Sequence, residues 1–196
     1  VAAVNKSGGN MTMQDLADYN AVMRTPVKGT YRGLEIISMP PPSSGGTHLI
    51  EILNVMENYD VKALGHNTPA YMHTLAEVFK LVFADRAAYM ADADFVKVPM
   101  AGLTSKEYAK TLFDQISPDK VLKELKPGEP ENFESESTTH ITVIDEEGNI
   151  VSLTQTINYF FASGVMAEGT GLLLNNEMDD FSTNPSSVSA PEPGKR

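Results

Sequence analysis

The sequence predicts an α+β fold in which helices precede strands. Apolar residues recur at helical spacing between about residues 47 and 116, whereas apolar and polar residues alternate from about Thr138 to residue 157. A linker rich in proline, glycine and acidic residues separates the two patterns at residues 126–136. Segregation of helices from strands is typical of α+β proteins.

Composition excludes several classes of function. The 196 residues carry a net charge of -11, which argues against a nucleic-acid partner and favours small molecules or peptides. The absence of cysteine excludes disulfides, zinc–thiolate sites and cysteine nucleophiles. No apolar stretch approaches the length of a membrane span, and no signal segment is present. Because the chain starts without Met and ends in Pro-Glu-Pro-Gly-Lys-Arg, we expect an excerpt of a longer protein.

The first predicted elements are a short helix and a hairpin. Thr12 stands three residues before Asp15, which is the spacing of a helix N-cap and its partner. Strands are expected at Val27–Tyr31 and Leu34–Met39, on either side of Arg32-Gly33.

A proline run precedes the next helix. The prolines at 40–42 fix an extended backbone, and the Ser-Ser-Gly-Gly of residues 43–46 releases it into a helix that begins near Thr47. The residues predicted to face the core are Leu49, Ile52, Leu53 and Met56.

A longer helix is predicted to start at Pro69, behind the N-cap candidate Thr68. We interpret one face of it as core and not as a cofactor contact. Its residues are Met72, Leu75, Phe79, Val82, Phe83 and Met90. Asp85-Arg86 is either functional or, more simply, part of an ion pair. A further helix is expected from Ser105 to Ile116, with Tyr108, Leu112 and Ile116 facing inward.

A β-hairpin is predicted after the acidic linker. Residues 145–149, Asp-Glu-Glu-Gly-Asn, interrupt two alternating runs, and Gly148 suits the positive-φ position of a bulged turn. The apolar residues then fix the register. The matched pairs are Val143 with Val151 and Ile141 with Leu153.

The same register sets two threonines side by side at the open end of the hairpin. Thr138 lies opposite Thr156, and Asn158 follows two residues further on the same face. Threonine is an ordinary strand residue, so this pattern alone favours a structural role over a catalytic one.

Four motifs stand in a specific order along the chain. They are Met-Pro-Pro-Pro-Ser-Ser-Gly-Gly at 39–46, Glu-Ser-Thr-Thr-His at 136–140, Thr-Gln-Thr-Ile-Asn at 154–158, and the run from Gly169 through Asn-Asn-Glu-Met-Asp-Asp to Ser182. Together they closely resemble the γ-glutamyltranspeptidases, and the resemblance covers nearly the whole chain. It implies an excerpt of an αββα N-terminal-nucleophile hydrolase sandwich. Residues 1–137 would end the large subunit, and residues 138–196 would begin the small subunit.

The resemblance implies that the precursor cleaves itself between Ser137 and Thr138. A threonine hydroxyl is a poor nucleophile without an adjacent base, and an N-terminal threonine supplies its own α-amino group. Such amines titrate near pH 8 in model compounds, at about 7.7–8.0, which suits a general base. Thr138 would therefore be both the processing residue and the nucleophile, and Thr156 would orient its hydroxyl.

The resemblance also assigns Asn158, Glu177 and Asp180 to the α-amino and α-carboxylate end of a γ-glutamyl group. An ammonium needs anionic acceptors, and charge-assisted contacts position a substrate. From the residues alone, positions 175–180 favour a solvated turn, with a weak cation site as the alternative. We expect no cofactor and no metal, because no second histidine or carboxylate stands at ligand spacing from His140.

Two departures from the family pattern concern the pocket. Residues 182–192 are short and contain no aromatic residue, whereas members with a lid carry a longer connection with an aromatic residue, so we expect an open pocket. The chain ends before the family's Ser-Ser and Gly-Gly pairs, and it lacks the large-subunit arginine. The excerpt alone is therefore expected to be inactive.

The expected function is γ-glutamyl transfer or hydrolysis, from glutathione or a related amide to water, amino acids or peptides. The partners implied are these substrates and the remaining parts of both subunits, and the implied location is secreted, extracellular or periplasmic. One alternative on the same scaffold is a cephalosporin or glutaryl acylase or a poly-γ-glutamate depolymerase. An alternative of another class is a non-catalytic module that is never cleaved.

Overall fold

The computed structural model describes residues 1–123 and 138–195, without the side chains of 138–140. These residues form two compact units. The hairpin unit comprises Val1–Val22 with residues 138–181, and the helical unit comprises residues 23–123 with 182–195. Helices dominate the earlier part of the chain and antiparallel hairpins the later part, so the predicted α+β class is confirmed. None of the helices in the described ranges is long and apolar enough to cross a membrane.

The helices and strands follow one another largely as predicted. The helices are α1 (Ala2–Lys6), α2 (Met13–Asp18), α3 (Gly45–Met56), α4 (Val61–Leu64), α5 (Pro69–Tyr89), α6 (Met100–Leu103) and α7 (Lys106–Phe113). The strands are β1 (Val27–Tyr31), β2 (Leu34–Ser38), β3 (Thr138–Ile144), β4 (Ile150–Thr156), β5 (Met166–Ala167) and β6 (Leu172–Leu173). A 3₁₀ turn spans Glu177–Asp180. The described strands pair as three two-stranded antiparallel sheets, each joining consecutive strands.

The predicted starts of α2 and α5 are confirmed by their capping contacts. At α2, Thr12 Oγ1 accepts a hydrogen bond from the Asp15 N–H at 3.2 Å, and Asp15 Oδ2 accepts one from the Thr12 N–H at 2.6 Å. These bonds from Thr12 lower the pKa of Asp15. At α5, Thr68 Oγ1 accepts from the Tyr71 N–H, and Pro69 occupies the first turn. Proline suits that position because the first N–H groups of a helix have no intrahelical acceptor.

The core of the helical unit lies between α3, α5 and α7. Its buried members are Val55, Met56, Val78, Leu81, Val82, Ala109 and Leu112. The β1–β2 hairpin packs on α3, where Gly29 lies against the Ile50 side chain. Of the inward residues predicted for α7, Leu112 is buried, and Tyr108 and Ile116 are half-buried against the core.

The face predicted for α3 was largely wrong. Leu49 is exposed and Ile52 and Leu53 are half-buried, so Met56 is the one predicted residue that is fully buried. The helix starts at Gly45, and its buried positions are Gly46, Thr47, His48, Ile50, Glu51, Asn54, Val55 and Met56. Since α3 packs against both strands and three helices, its polar residues are buried as well and find partners inside. Asn54 Nδ2, for example, donates to the Thr104 carbonyl at 2.9 Å.

The face predicted for α5 was also partly wrong. Val82 and Met90 are buried and Leu75 is half-buried, but Met72, Phe79 and Phe83 are exposed. The buried face includes Thr74, Glu77, Val78, Leu81, Ala84 and Asp85. Hydrogen bonds explain why the carboxylates of Glu77 and Asp85 can be buried. Glu77 accepts from the Leu122 N–H at 2.8 Å and Asp85 accepts from the Tyr108 hydroxyl at 2.7 Å.

Gly46 is the point of closest approach between α3 and the chain that precedes it. A Cβ at this position would lie 2.8 Å from Val27 Cγ1 and from the Met39 nitrogen, and closer still to the Met39 carbonyl oxygen. We expect Gly46→Ala to lower the free energy of unfolding by about 2 kcal/mol, because the facing backbone cannot yield as a side chain does. Urea denaturation of the purified protein measures this loss.

Gly45→Ala is the matched control for Gly46→Ala. Gly45 starts the same helix, but its added Cβ would meet only Ser43 Oγ, at an ordinary 3.5 Å. We expect a change close to zero. Equal losses in the two variants would show that the close contact with Met39 does not limit this site.

Candidate active site

The turn of the β3–β4 hairpin is closed by its own side chains. Asp145 Oδ1 accepts from the Asn149 N–H and Asp145 Oδ2 from Asn149 Nδ2, both at 2.8 Å. These bonds from Asn149 lower the pKa of Asp145. Gly148 has a φ of 85° and donates its N–H to the Asp145 carbonyl at 3.1 Å. The predicted turn is therefore confirmed, and so is its register: Ile141 pairs with Leu153 and Val143 with Val151.

The two threonines of the sequence prediction are paired at the open end of this hairpin. Thr138 is the backbone partner of Thr156 across the ladder. The Thr156 Oγ1 accepts a hydrogen bond from the Asn158 N–H at 2.9 Å. Ser137 and the Thr138 side chain lie outside the described residues. Cleavage at Ser137-Thr138 therefore stays a prediction.

Asn158 connects β4 to the carboxylates of the 3₁₀ turn. Its backbone has a φ of 71°, a left-handed conformation that asparagine tolerates better than most residues. Its side chain is only 2% exposed, and Nδ2 donates to Asp180 Oδ1 at 3.0 Å and to the Asn176 carbonyl at 3.3 Å. Two of the predicted substrate-binding residues, Asn158 and Asp180, are thus in direct contact.

Asn176 is a positioning residue that the sequence reasoning did not single out. Its Oδ1 accepts from the Tyr159 N–H at 3.1 Å, and its own N–H donates to the Ile157 carbonyl at 3.3 Å. It therefore ties the end of β4 to the start of the 3₁₀ turn. The Asn-Asn pair at 175–176 was a visible signal, but its partners are 17 or more residues away, beyond the reach of a local pattern.

Glu177 and Asp180 begin and end the 3₁₀ turn. Side chains three residues apart eclipse each other in a 3₁₀ helix, so these two carboxylates leave the backbone on the same side. Both are exposed, as is Asp179 between them. Three carboxylates within four residues produce a negative potential that attracts a cation, such as a substrate ammonium. Among the described residues, Asp180 Oδ2 accepts no hydrogen bond and can take one from a ligand.

Comparison with known proteins identifies the family. The family model for Gamma-glutamyltranspeptidase matches residues 1–196. The chain belongs to the γ-glutamyltranspeptidase family. The glutathione hydrolase proenzyme of Escherichia coli K12 is 49% identical over 184 residues, which cover 93% of this chain and 32% of that protein. The chain thus spans about a third of the length of the curated relatives it matches.

Two solved structures resemble this γ-glutamyltranspeptidase chain. The Helicobacter pylori γ-glutamyltranspeptidase matches with a TM-score of 0.62 and 51% identity, over 69% of this chain and 40% of that one. The cephalosporin acylase from Bacillus halodurans matches with a TM-score of 0.83 and 31% identity, over 98% of this chain and 34% of that one. The predicted membership of an N-terminal-nucleophile hydrolase family is confirmed.

Proposed function

We propose that the protein containing this chain transfers the γ-glutamyl group of glutathione or a related γ-glutamyl amide to water, an amino acid or a peptide. Thr138 is the nucleophile, made N-terminal by cleavage of the Ser137-Thr138 bond, and Thr156 orients its hydroxyl. Asn158, Glu177 and Asp180 bind the amino-acid end of the γ-glutamyl group. The pairing of Thr138 with Thr156 is the observation that carries this proposal.

The reaction follows from the chemistry of an N-terminal threonine. The α-amino group accepts the hydroxyl proton as Thr138 Oγ1 attacks the γ-carbonyl, and it returns that proton to the departing amine. An ester between Thr138 and the γ-glutamyl group remains. Water or an acceptor amine then attacks the ester, which releases glutamate or a new γ-glutamyl amide and regenerates the threonine.

A continuous set of contacts supports the proposed division of roles. Thr156 Oγ1 accepts from the Asn158 N–H, and Asn158 Nδ2 donates to Asp180 Oδ1. Thr156, which faces the proposed nucleophile, is therefore connected to the proposed ammonium site through two hydrogen bonds. Such coupling allows binding of the charged end to position the γ-carbonyl, which is how binding contributes to rate.

Both sides of the proposed cleavage site contribute to the hairpin unit. Helix α1 precedes the Ser137-Thr138 bond, strand β5 follows it, and the two elements are in contact. The pieces 1–137 and 138–196 therefore have a packing reason to stay together after cleavage. The remaining parts of both subunits, which by family pattern supply the oxyanion donors, are the proposed protein partners. The proposed location is secreted, extracellular or periplasmic.

Intact-mass measurement of the purified protein tests this function together with N-terminal sequencing. We expect two polypeptides, the smaller of which begins at Thr138, and turnover of a γ-glutamyl anilide. A single uncut polypeptide without turnover would favour the non-catalytic module instead.

An acylase is the second candidate function. It is favoured by the match to a cephalosporin acylase over 98% of the chain and by the short segment 182–192, which contains no aromatic residue. A γ-glutamyl anilide and a glutaryl anilide separate the two functions, because they differ only by the α-ammonium. If the carboxylates of the 3₁₀ turn bind that ammonium, the γ-glutamyl compound has the higher kcat/KM. Preference for the glutaryl compound would establish the acylase.

A further inference from the structure

Asn176 holds the two peptide groups that flank Asn158. On the side before Asn158, the Asn176 N–H donates to the Ile157 carbonyl at 3.3 Å. On the side after it, Asn176 Oδ1 accepts from the Tyr159 N–H at 3.1 Å. The angles φ and ψ of a residue describe the rotations of these two planar groups about its Cα. Because Asn176 binds both groups, it restricts both backbone angles of Asn158.

The backbone of Asn158 has a conformation that needs such a restraint. Its φ of 71° is left-handed, which glycine adopts freely and asparagine tolerates better than most other residues. A conformation of this kind persists where the surrounding structure fixes it. Thr156 Oγ1 accepts the Asn158 N–H at 2.9 Å, so the peptide group before Asn158 is held twice. The peptide group after Asn158 is held through the Tyr159 N–H, by the side chain of Asn176.

The side chain of Asn158 lies between two acceptors. Its Nδ2 donates to the Asn176 carbonyl at 3.3 Å and to Asp180 Oδ1 at 3.0 Å. A carbonyl and an ionised carboxylate accept hydrogen bonds and donate none, so only the NH₂ of the amide can face them. The Asn158 amide therefore has one orientation. Its Oδ1 accepts nothing from the described residues in that orientation and can take a donor from a ligand.

Capping of a helix is the ordinary role for asparagine at the position of Asn176, and its side chain does not perform it. Asn176 is the N-cap residue of the 3₁₀ turn Glu177–Asp180, yet in the described chain no hydrogen bond joins its side chain to that turn. The Asn175 side chain accepts from the Glu177 N–H instead, at 3.1 Å. The Asn176 side chain therefore serves the backbone around Asn158 and not the turn that it precedes.

We propose that Asn176 is a positioning residue that sets the preference of the site for an acyl group with an α-ammonium. Its side chain fixes the peptide group after Asn158, which keeps the Asn158 amide turned towards Asp180 and leaves Oδ1 free for the ligand. This role rests on the proposed function, in which Asn158 and Asp180 bind the amino-acid end of a γ-glutamyl group. A site that holds its acceptors in place for a donor rejects an analogue that lacks the donor.

Asn176→Ala tests this role, because it removes the bond to the Tyr159 N–H and leaves the backbone contacts of residue 176 in place. In the intact protein that contains this chain, we expect kcat/KM for a γ-glutamyl anilide to fall roughly tenfold, mainly through KM, as for the loss of one hydrogen bond. The value for a glutaryl anilide, which lacks the ammonium, should change less than about twofold. Self-cleavage should continue, because the peptide group before Asn158 keeps both of its bonds.

Two further variants separate positioning from a general loss of structure. Asn176→Asp keeps an oxygen for the Tyr159 N–H, so it should retain the wild-type preference for the γ-glutamyl compound. Met178→Ala is the matched control, since Met178 lies in the same 3₁₀ turn and its side chain is 70% exposed. Its kcat/KM values for both anilides should stay close to those of the wild type.

The ratio of the two kcat/KM values decides between the outcomes. An unchanged ratio in Asn176→Ala, including a loss of equal size for both anilides, would overturn the positioning role while the proposed function stands. A wild-type protein that does not turn over the γ-glutamyl anilide would refute the proposed function, and this role with it.

A measurement on the wild type does not depend on a variant that folds. Hydrogen exchange resolved at single residues by mass spectrometry should find the Tyr159 amide slower than in an unstructured peptide, because its N–H is bonded to Asn176 Oδ1. Exchange at the unstructured rate would contradict that bond and overturn the proposal.

Discussion

Thr138→Ala is expected to leave the protein as a single uncut polypeptide that does not hydrolyse γ-glutamyl amides. Under the proposed function, the Thr138 hydroxyl is both the group that breaks the Ser137-Thr138 bond and the nucleophile of the mature enzyme. Removal of a catalytic nucleophile costs roughly 10⁴-fold or more in rate. Intact mass measures the cleavage, and release of anilide from a γ-glutamyl anilide measures the turnover.

Three related variants show whether this loss belongs to the hydroxyl. Thr138→Ser keeps the oxygen and should still cut, more slowly, because the β-branched methyl no longer restricts the rotamer. Thr156→Ala should be intermediate, since it removes only the orienting hydroxyl. Thr139→Ala is the control, because Thr139 pairs with Gln155, one residue along the ladder. Normal cleavage in Thr138→Ala, or a small fragment that begins elsewhere, would end the proposal.

Asp180→Ala should lower kcat/KM for a γ-glutamyl anilide by roughly 100-fold, or about 3 kcal/mol, as expected when one partner of a hydrogen-bonded charge pair is removed. Asp180 Oδ1 accepts a hydrogen bond from Asn158 Nδ2 at 3.0 Å. The variant therefore deprives a bound ammonium of its acceptor and releases the Asn158 side chain. Self-cleavage should be retained, because Asp180 has no proposed role in breaking the Ser137-Thr138 bond.

Asp179→Ala is a matched control for charge alone. Asp179 is the adjacent carboxylate, it is exposed, and its backbone N–H donates to the Asn176 carbonyl. We expect a change of only a few-fold from the altered potential, on the order of an exposed charge interaction. Asp180→Asn keeps the shape and loses the charge, so it should resemble Asp180→Ala if the ammonium contact dominates. Equal effects of Asp179→Ala and Asp180→Ala would remove Asp180 from the site.

The parts of the fold that the sequence predicted best are those with local causes. The capping box of Thr12 and Asp15, the proline at the start of α5 and the β3–β4 register each depend on residues close together in the chain. The pairing of Thr138 with Thr156 followed because matched apolar pairs allow a single alignment of the two strands.

The parts that the sequence could not predict depend on distant partners. Glu51 and Asp85 are polar and were not counted in the buried faces of α3 and α5, yet both are buried. Glu51 has a hydrogen-bond partner in His48 on the same helix, and Asp85 accepts a hydrogen bond from Tyr108 on α7. Met72 and Phe79 were counted and are exposed. Asn176 has its role only because the chain returns to the end of β4. In each case, the position of the residue depends on tertiary contacts, which a count of apolar residues in the sequence does not detect.

The turn at Asp145 and Gly148 sets the geometry of a site that it never touches. The turn and the matched apolar pairs together set the register of the hairpin. A strand advances about 3.4 Å per residue, which puts the turn roughly 20 Å from the threonine pair. One residue inserted in the turn would shift the register by one position. A neighbour of Thr156 would then lie opposite Thr138, and the side chains of β4 would change faces relative to β3. Surface loops usually tolerate changes of length, whereas a change of length in this turn would move Thr156 away from its place opposite Thr138.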